Sequence, residues 1–431
     1  MMEKAQDFLH KNNLKYEYID FEMEIMRFIG QMELGLRSND GLPMVPTYVS
    51  GQLRPRQGGK AIAVDVGGTN LSVALLECDY LTTRIIDIFK EPSMGKVAPV
   101  TFDVFINNIA SKIEPFLKHS KIISFSFSHE VIHTNAMDGQ ISFISKEISI
   151  TDYEDRLLAD SLKKAIKKRT DIDVNVVLIN DTVGVAGSML QHGDAFQNYL
   201  GIVMGTGVNA CYIEQCKSIK KIDDAKTETM FINVESGAYI PLIVSEIDKA
   251  FDATTLLPKT AILEKMVSGE YFGKLYYFLI QMACKEALFS DYFIKNFERH
   301  EPLDTKDMSI FYQDQSSGTY AKLCGDNDDV ELLYFFASCL IKRAAALISI
   351  KIIAIARKIY EPKMAPICVI VEGSTFYGIK GFRDMVLKFI ELHKKDMDLQ
   401  LMSLDNAALK GIGNIGLAFA EDKIDYDTLM L

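Results

Sequence analysis

Two segments of the chain follow the same plan, in which a buried strand leads through a glycine and threonine turn into a second strand. Residues 61–76 read AIAVDVGGTNLSVALL, and residues 199–214 read YLGIVMGTGVNACYIE. The apolar runs on both sides of each turn predict strands that are covered by the rest of the fold. A plan that recurs in both halves of a chain of 431 residues indicates two related units and is consistent with an ancient duplication.

The turn of the first segment has the residues of a phosphate-binding loop. Asp65 stands at the end of the first strand, and Gly67 and Gly68 allow the backbone to approach an anion closely. Thr69 and Asn70 add hydrogen-bond donors. A carboxylate beside a phosphate group indicates a bridging cation. The same residues would also form the turn of a tight β-hairpin, and the turn alone does not separate the two interpretations.

Two further turns have similar chemistry. Residues 205–207 read GTG, and Gly373 with Ser374 follows the apolar run 367–372, so both turns place glycine and a hydroxyl residue at a strand end. Each turn is a weak signal on its own. The three turns together favour a nucleotide-binding site.

The remaining pattern is that of an α/β protein. Residues 121–128 and 174–180 are apolar runs that predict strands, and residues 153–169 between them have helical spacing. A helical segment is expected at about residues 7–36, and the polar, glycine-rich residues 51–60 indicate a connector. We therefore expect an α/β fold with two domains, since a chain of this length usually exceeds one domain.

Composition limits the class of partner. The net charge is −11 and no cluster of lysine and arginine offsets it, which argues against a nucleic-acid partner. Residues 332–359 form the longest apolar region but carry lysine and arginine, so we expect a buried helix and no membrane span. The first residues, MMEKAQDFLHKNN, lack the apolar core of a secretion signal. Seven cysteines without a CxxC pair fit a reducing compartment, and we expect a cytoplasmic protein.

The segment 176–184, VVLINDTVG, supplies a candidate general base. Asn180 and Asp181 follow an apolar run, and ligands collect at the carboxyl ends of buried parallel strands. Asp181 would accept a proton from a substrate held there. Alternatively, Asp181 caps the helix expected over residues 183–190, which is a common role for aspartate. Spacing alone leaves both interpretations open.

Residues 129–133, HEVIH, match the HExxH pattern of zinc hydrolases. That pattern requires a helix, which brings both histidines to one face, and a third ligand. Here the motif directly follows the strand expected at residues 121–128 and leads into the turn formers TNAMDGQ. A zinc hydrolase is therefore the least favoured interpretation.

In chain order, seven segments resemble the eukaryotic hexokinase and glucokinase family. They are DVGGTN, FSF with a later Ser-Lys pair, LINDTVG, GTGVNACY, INVESG, ILEKMVSGEYFG and EGS. The resemblance covers nearly the whole chain, because QMELGL before MVPTYV is similar to the family's N-terminal helix and the segment after it. It implies an α/β, actin-like ATPase or ribonuclease-H-like fold with two lobes and a cleft. The implied small lobe is 60–182 plus about 418–431, and the large lobe is 1–59 plus 183–417.

The resemblance also implies an activity, the transfer of a phosphoryl group from ATP to the 6-hydroxyl of a hexose. Glucose is the foremost substrate, with fructose or mannose as alternatives, and the active form is a monomer or a homodimer. Asp181 would be the base, and Lys146 would add positive charge beside the sugar. The residues implied to bind sugar are Ser126, Ser145, Lys146, Asn180, Asp181, Asn209, Glu235 and Glu264. The residues implied to bind ATP are Asp65, which would hold Mg²⁺ through water, Gly67, Gly68, Thr69, Asn70, Thr206, Gly373, Ser374 and Gly411.

Several positions depart from the family pattern. Ser72 stands where the family has an arginine two residues after the asparagine of the first turn, and Ser128 replaces the proline after FSF. Glu372 replaces the aspartate of the adenosine motif, and DNAALKGIG is a degraded form of the C-terminal DGSGKGA pattern. The sugar residues are thus better kept than the nucleotide residues. A hexokinase is the first interpretation, and a sugar-binding regulator with little catalysis is the second.

Overall fold

The computed structural model describes residues 2–79, 82–96, 98–144, 148–223 and 225–428. Its strands are β1 (Val45–Ser50), β2 (Lys60–Val66), β3 (Asn70–Cys78), β4 (Thr83–Pro92), β5 (Val100–Thr101), β6 (Ile122–Phe127), β7 (Glu130–His133), β8 (Gly139–Phe143), β9 (Ile150–Thr151), β10 (Asn175–Ile179), β11 (Asn198–Met204), β12 (Val208–Gln215), β13 (Thr229–Asn233), β14 (Ile367–Glu372) and β15 (Leu399–Met402). Its α-helices are α1 (Met2–Lys11), α2 (Phe21–Arg37), α3 (Phe102–Ile113), α4 (Leu158–Thr170), α5 (Asp181–Gly187), α6 (Glu246–Asp252), α7 (Ile262–Val267), α8 (Gly269–Lys285), α9 (Asp291–Phe297), α10 (Thr305–Gln313), α11 (Gly318–Leu323), α12 (Asn327–Ile359), α13 (Ser374–Gly378), α14 (Phe382–His393) and α15 (Ala407–Thr428).

Five strands form a first sheet in the order β10, β6, β2, β3, β4. β2 and β3 are the antiparallel strands on either side of the DVGGTN turn, while β6 and β10 continue the sheet in parallel. Apolar residues on one face, such as Val64 and Phe125, pack against α3 and α4. The other face carries small, polar and larger apolar residues, such as Ala63, Ser124 and Leu76, and α15 crosses this face with Gly413 against Leu76 and Gly416 against Ser124.

The second sheet has the order β1, β13, β12, β11, β14, β15 and repeats the arrangement of the first. β11 and β12 form an antiparallel pair around the GTG turn, and β14 and β15 continue in parallel from β11. β13 pairs antiparallel with β12, as β4 does with β3. The two segments with a shared sequence plan therefore occupy equivalent places in two sheets of equivalent topology.

The long helix α12 lies at the centre of the helical layer beside the second sheet, where it contacts α2, α8 and α14. Its Arg343 is buried and donates two hydrogen bonds to the carboxylate of Asp248, at 2.7 and 2.8 Å. The buried helix expected over residues 332–359 is thereby confirmed. Within the described part of the chain, no helix combines the length and hydropathy that a bilayer crossing requires.

Three helices begin or end elsewhere than the sequence pattern predicts. The segment 7–36 contains two helices, α1 and α2, because Asp20 caps a new helix by accepting a bond from the Met23 amide at 3.0 Å. The helix expected at 153–169 begins only at Leu158, since Asp155 has a left-handed φ of 58° that breaks the helical path. The helix expected at 183–190 starts two residues earlier and ends at Gly187.

Residues Glu130–His133 of the HEVIH motif form β7, which pairs with β8 in a β-hairpin, and His129 precedes that strand. His129 and His133 therefore do not share the helical turn on which a zinc hydrolase depends. His129 packs against the ring of Phe127, with 5.0 Å between ring centroids. Burial lowers the pKa of His129 and of His133 to about 4.

Candidate active site

Asp181 lies at the first position of α5, directly after β10. The helix cap is Asn180, whose Oδ1 accepts a hydrogen bond from the Thr182 amide at 2.9 Å. The capping role considered for Asp181 therefore belongs to its neighbour. Oδ1 of Asp181 accepts bonds from the Thr182 amide and hydroxyl at 2.7 and 3.1 Å, which orients the carboxylate. Burial raises the pKa of Asp181, while Ser128 and Thr182 oppose the shift. An oriented carboxylate with raised proton affinity suits a general base.

The DVGGTN turn is held from one side by Ser93. The Ser93 hydroxyl donates to the Gly67 carbonyl at 2.6 Å, and its amide donates to the Thr69 carbonyl at 3.1 Å. The Gly67 amide closes the turn by donating to the Asn70 carbonyl at 3.0 Å. Thr69 and Asn70 are exposed at the tip. The hairpin is thus confirmed. Because its tip is exposed, phosphate binding at the turn stays a prediction.

Asp65 is the carboxylate next to this turn. Its Oδ1 is buried without a hydrogen-bond partner among the described residues. Burial, reinforced by the negative charges of Asp181 and Glu372, raises the pKa of Asp65 to about 7. A cation beside this oxygen would satisfy its lone pairs and offset the repulsion. The site therefore fits Mg²⁺, which commonly takes one or two carboxylates and fills its shell with water and phosphate oxygens.

The GTG and EGS turns lie side by side, although they are far apart in the chain. Gly373 has a φ of +132°, and a side chain there would overlap the backbone at the end of β11. The first two amides of α8 donate to the carbonyls of Gly205 and Thr206, at 2.8 and 3.0 Å. Ser374 opens α13 and is exposed, as is the side chain of Thr206. Two of the three glycine turns thus form one continuous surface.

A connected polar cluster lies at the start of β12. Asn209 Nδ2 donates to Asn233 Oδ1 at 2.7 Å and to Glu235 Oε1 at 3.2 Å. Asn233 Nδ2 donates to the same oxygen of Glu235 at 2.6 Å. Glu264 joins from α7, where its Oε2 accepts the Val208 amide at 3.2 Å. Glu235 has a left-handed φ of 53°, a strained conformation for a residue other than glycine. Sequence reasoning missed Asn233, although its place two residues before Glu235 at the end of β13 is a usable signal.

The charges of this cluster act on one another. Burial raises the pKa of Glu235 to about 7, Asp181 and Glu264 add to the shift, and Asn233 opposes it. Asp181 also raises the pKa of Asp65 and of Glu372. Asp181, the predicted base, therefore lies within electrostatic range of Asp65, the predicted metal carboxylate, and of Glu235, a predicted sugar carboxylate.

Lys90 is a second residue that sequence reasoning missed. It lies opposite Ser72 in the β3–β4 ladder, and Ser72 lies opposite Asp65 in the β2–β3 ladder. Directly opposed residues share one face of a sheet, so the three side chains form a row. The positive charge of Lys90 lowers the pKa of both Asp65 and Glu372, against the larger effect of burial. A lysine thus stands near the position from which the family's arginine is missing.

Two further predicted residues, Ser126 and Gly411, have particular surroundings. Ser126 is fully buried opposite Asp65 on β6. Gly411 lies where α15 crosses α5, and a side chain there would overlap the Gly184 carbonyl, so helix packing accounts for the glycine. Ser145 and Lys146 lie outside the described residues.

Comparison with known families gives a match over most of the chain. One family model described as hexokinase matches residues 199–417, and a second with the same description matches residues 5–189. Hexokinase-2 of Rattus norvegicus is 27% identical over 95% of this chain and 47% of its own length. Hexokinase-1 of Nicotiana tabacum is 32% identical over 67% of this chain and 61% of its own length. The chain spans about half the length of the curated relatives it matches.

Solved structures give the same fold. The hexokinase from Schistosoma mansoni, complexed with glucose, superimposes with a TM-score of 0.80 at 22% identity, over 97% of this chain and 99% of that one. A second hexokinase structure has a TM-score of 0.78 at 19% identity over the same shares. The expected actin-like α/β fold is confirmed. With the two family matches, these findings show that the chain belongs to the hexokinase family.

Proposed function

We propose that this protein transfers the γ-phosphoryl group of ATP to the 6-hydroxyl of a hexose, with glucose as the foremost substrate. The observation that carries the proposal is the position of Asp181. The negative charge of Asp181 raises the pKa of Asp65, which lies beside the first glycine turn, and the pKa of Glu235, which lies in the polar cluster. A base between a phosphate-facing and a polyol-facing carboxylate suits phosphoryl transfer to a sugar hydroxyl.

The polar cluster would bind the sugar. Each hydroxyl of a hexose both donates and accepts, so a buried polyol site needs amides and carboxylates in alternation. Asn209, Asn233, Glu235 and Glu264 supply that mixture in a prearranged network. Asn180 and Ser126 would complete the site from the β10 and β6 side, with Ser145 and Lys146 as the predicted remainder. A hydroxyl left unpaired in such a site would cost roughly 1 to 3 kcal/mol.

Asp181 would take the proton of the 6-hydroxyl as the oxygen bonds to the γ-phosphorus and the bond from that phosphorus to ADP breaks, which gives hexose 6-phosphate and ADP. Thr182 holds one carboxylate oxygen, Oδ1, and Oδ2 would take the proton. The raised pKa of Asp181 increases its affinity for that proton. Exclusion of water by the sugar-filled cleft would protect the phosphoryl group from hydrolysis.

The glycine turns would hold the nucleotide. Gly67, Gly68, Thr69 and Asn70 on one side and Thr206 on the other would contact phosphates, and Gly373 and Ser374 the adenosine. Asp65 would hold Mg²⁺, whose positive charge would offset the negative charge of the phosphates. We propose that Lys90 supplies the cation that Ser72 cannot, because it stands opposite Ser72 on the same face of the sheet.

The proposed lobes are residues 60–182 with about 418–431, and residues 1–59 with 183–417. They would close around the sugar, with residues 51–60 as one hinge. We propose a cytoplasmic setting, which is supported by the free state of all seven cysteines. Monomer and homodimer both fit the proposal.

A sugar-binding regulator is the second candidate. Two observations favour it. Ser72 lacks the family's positive charge, and Glu372 Oε2 accepts a hydrogen bond from the Ala408 amide at the start of α15. A coupled assay with glucose, ATP and Mg²⁺, run alongside glucose titration calorimetry, separates the two. Turnover supports the enzyme, whereas saturable glucose binding without turnover supports the regulator.

A further inference from the structure

Lys351 is a fully buried lysine in the C-terminal third of α12. Burial lowers the pKa of its amine to about 7. The nearby Arg343, also buried on this helix, has Asp248 as its carboxylate partner. Among the described residues, no carboxylate lies within ion-pair distance of Lys351. A buried amine without a counter-ion is destabilising compared with an apolar side chain of similar size, so its presence calls for a physical role.

The Lys351 amine contacts the main chain of the polar cluster from the α12 side. Lys351 Nζ donates a hydrogen bond to the main-chain carbonyl of Asn209 at 3.3 Å. In β12, Val208 and Ala210 face the core that contains α12, while Cys211 faces the opposite core. The side chain of Asn209 therefore lies on the face away from α12, and the small Ala210 leaves the lysine room to approach the strand.

Asn209 connects the members of the cluster. Its Nδ2 donates to Asn233 and Glu235, and its Oδ1 accepts from the amides of Ala210 and Ser236, at 2.7 and 3.2 Å. A small rotation of the strand at residue 209 would break several of these bonds together. The lysine adds a further hydrogen bond to the carbonyl of the same residue from the helix side, beyond the pairing of Asn209 with Val203 in the β11–β12 ladder.

We infer that Lys351 is a positioning residue for the sugar site, which holds the end of β12 so that the Asn209 side chain stays where a sugar hydroxyl binds. The inference rests on the proposed function, because it takes the Asn209 cluster to be the sugar site. Lys351 itself does not touch the sugar in this arrangement. Its loss should therefore weaken sugar binding and leave the phosphoryl-transfer step largely intact.

The test is Lys351→Met, which keeps the length and burial of the side chain and removes the donor. We expect the KM for glucose to rise about three- to tenfold, the range for losing one buried hydrogen bond, with kcat and the KM for ATP within about twofold. The variant should be at least as resistant to heat, since a buried amine without a counter-ion is gone. Lys351→Leu carries the same expectations if the methionine variant does not fold.

Ser349→Ala is the matched control, because Ser349 is buried in the same helix but bonds only to that helix's own carbonyls at Ala345 and Ala346. It should leave the KM for glucose unchanged. A folded Lys351→Met protein with an unchanged KM for glucose, next to an active parent, overturns this inference alone. If the parent binds glucose without turnover, the dissociation constant from calorimetry replaces KM. A parent that neither binds nor phosphorylates glucose overturns the proposed function and this inference with it.

Discussion

Ser72 and Lys90 lie directly opposite each other in the antiparallel ladder between β3 and β4, on the face that carries Asp65. The lysine is exposed, so it is free to follow a bound phosphate. Because phosphoryl transfer depends on cations around the transferred group, this pair supports the proposal that Lys90 supplies the positive charge that Ser72 lacks.

Lys90→Met should lower kcat about 10- to 100-fold, since a charge-assisted hydrogen bond to the phosphates is lost. The KM for glucose should change little. Arg84→Met is the control, because Arg84 lies near the other end of β4, beside Glu77 and Asp79. Equal kcat values in the two variants, measured in the coupled assay, would remove Lys90 from the nucleotide site.

Activity should fall as the solution becomes acidic below about pH 7. Glu235 and Asp65 have pKa values raised to about 7, mainly by burial, and both must be ionised to accept sugar hydroxyls or a cation. The profile of kcat/KM against pH should therefore rise through pH 7, with an apparent pKa that belongs to the coupled group of carboxylates. A profile that stays level down to pH 5 would contradict this account of the site.

Asp65→Asn should stabilise the protein at pH 8 and abolish Mg²⁺-dependent turnover. A carboxyl whose pKa is raised in the folded state binds more protons there than in the unfolded state. Its ionisation therefore destabilises the fold fully above pH 7 and hardly at all near pH 4. The gain in thermal midpoint over the parent should follow the same course, appearing between about pH 4 and 7. Melting curves in buffer without Mg²⁺ check this, and an equal gain at pH 4 and pH 8 would contradict it.

Gly373→Ala should destabilise the protein by roughly 1 to 3 kcal/mol and raise the KM for ATP, because the residue has a positive φ and no room for a side chain. Gly378→Ala, where nothing lies within 4 Å of the added carbon, is the control. Chemical denaturation and ATP titration of both variants measure the difference. Equal behaviour of the two variants would show that the close approach of the EGS and GTG turns is unimportant.

The features that the sequence predicts are those that depend on a local pattern of residues. The glycine turns between strands, Asp181 at a strand end and the buried helix over residues 332–359 all follow from apolar runs and turn residues. The motif resemblance added the polar cluster of Asn209 and Glu235.

Lys90 could not be predicted, because its place depends on a bulge. The β3–β4 register shifts by one residue between Leu75 and Leu76. Without that shift, Phe89 would stand opposite Ser72, and Lys90 would point to the other face. A one-residue irregularity of this kind leaves no mark in composition or periodicity. The contact of Lys351 could not be predicted either, since no local pattern shows that it reaches Asn209.

The most direct test of the account is the rate of glucose 6-phosphate formation by Asp181→Asn beside the parent protein. We predict a loss of about 10²- to 10⁴-fold in kcat, the usual contribution of a general base. Glucose affinity by calorimetry should stay within a few-fold, because the amide keeps the shape of the carboxylate. A variant that retains most of the parent's kcat would contradict the assignment of Asp181 as the base.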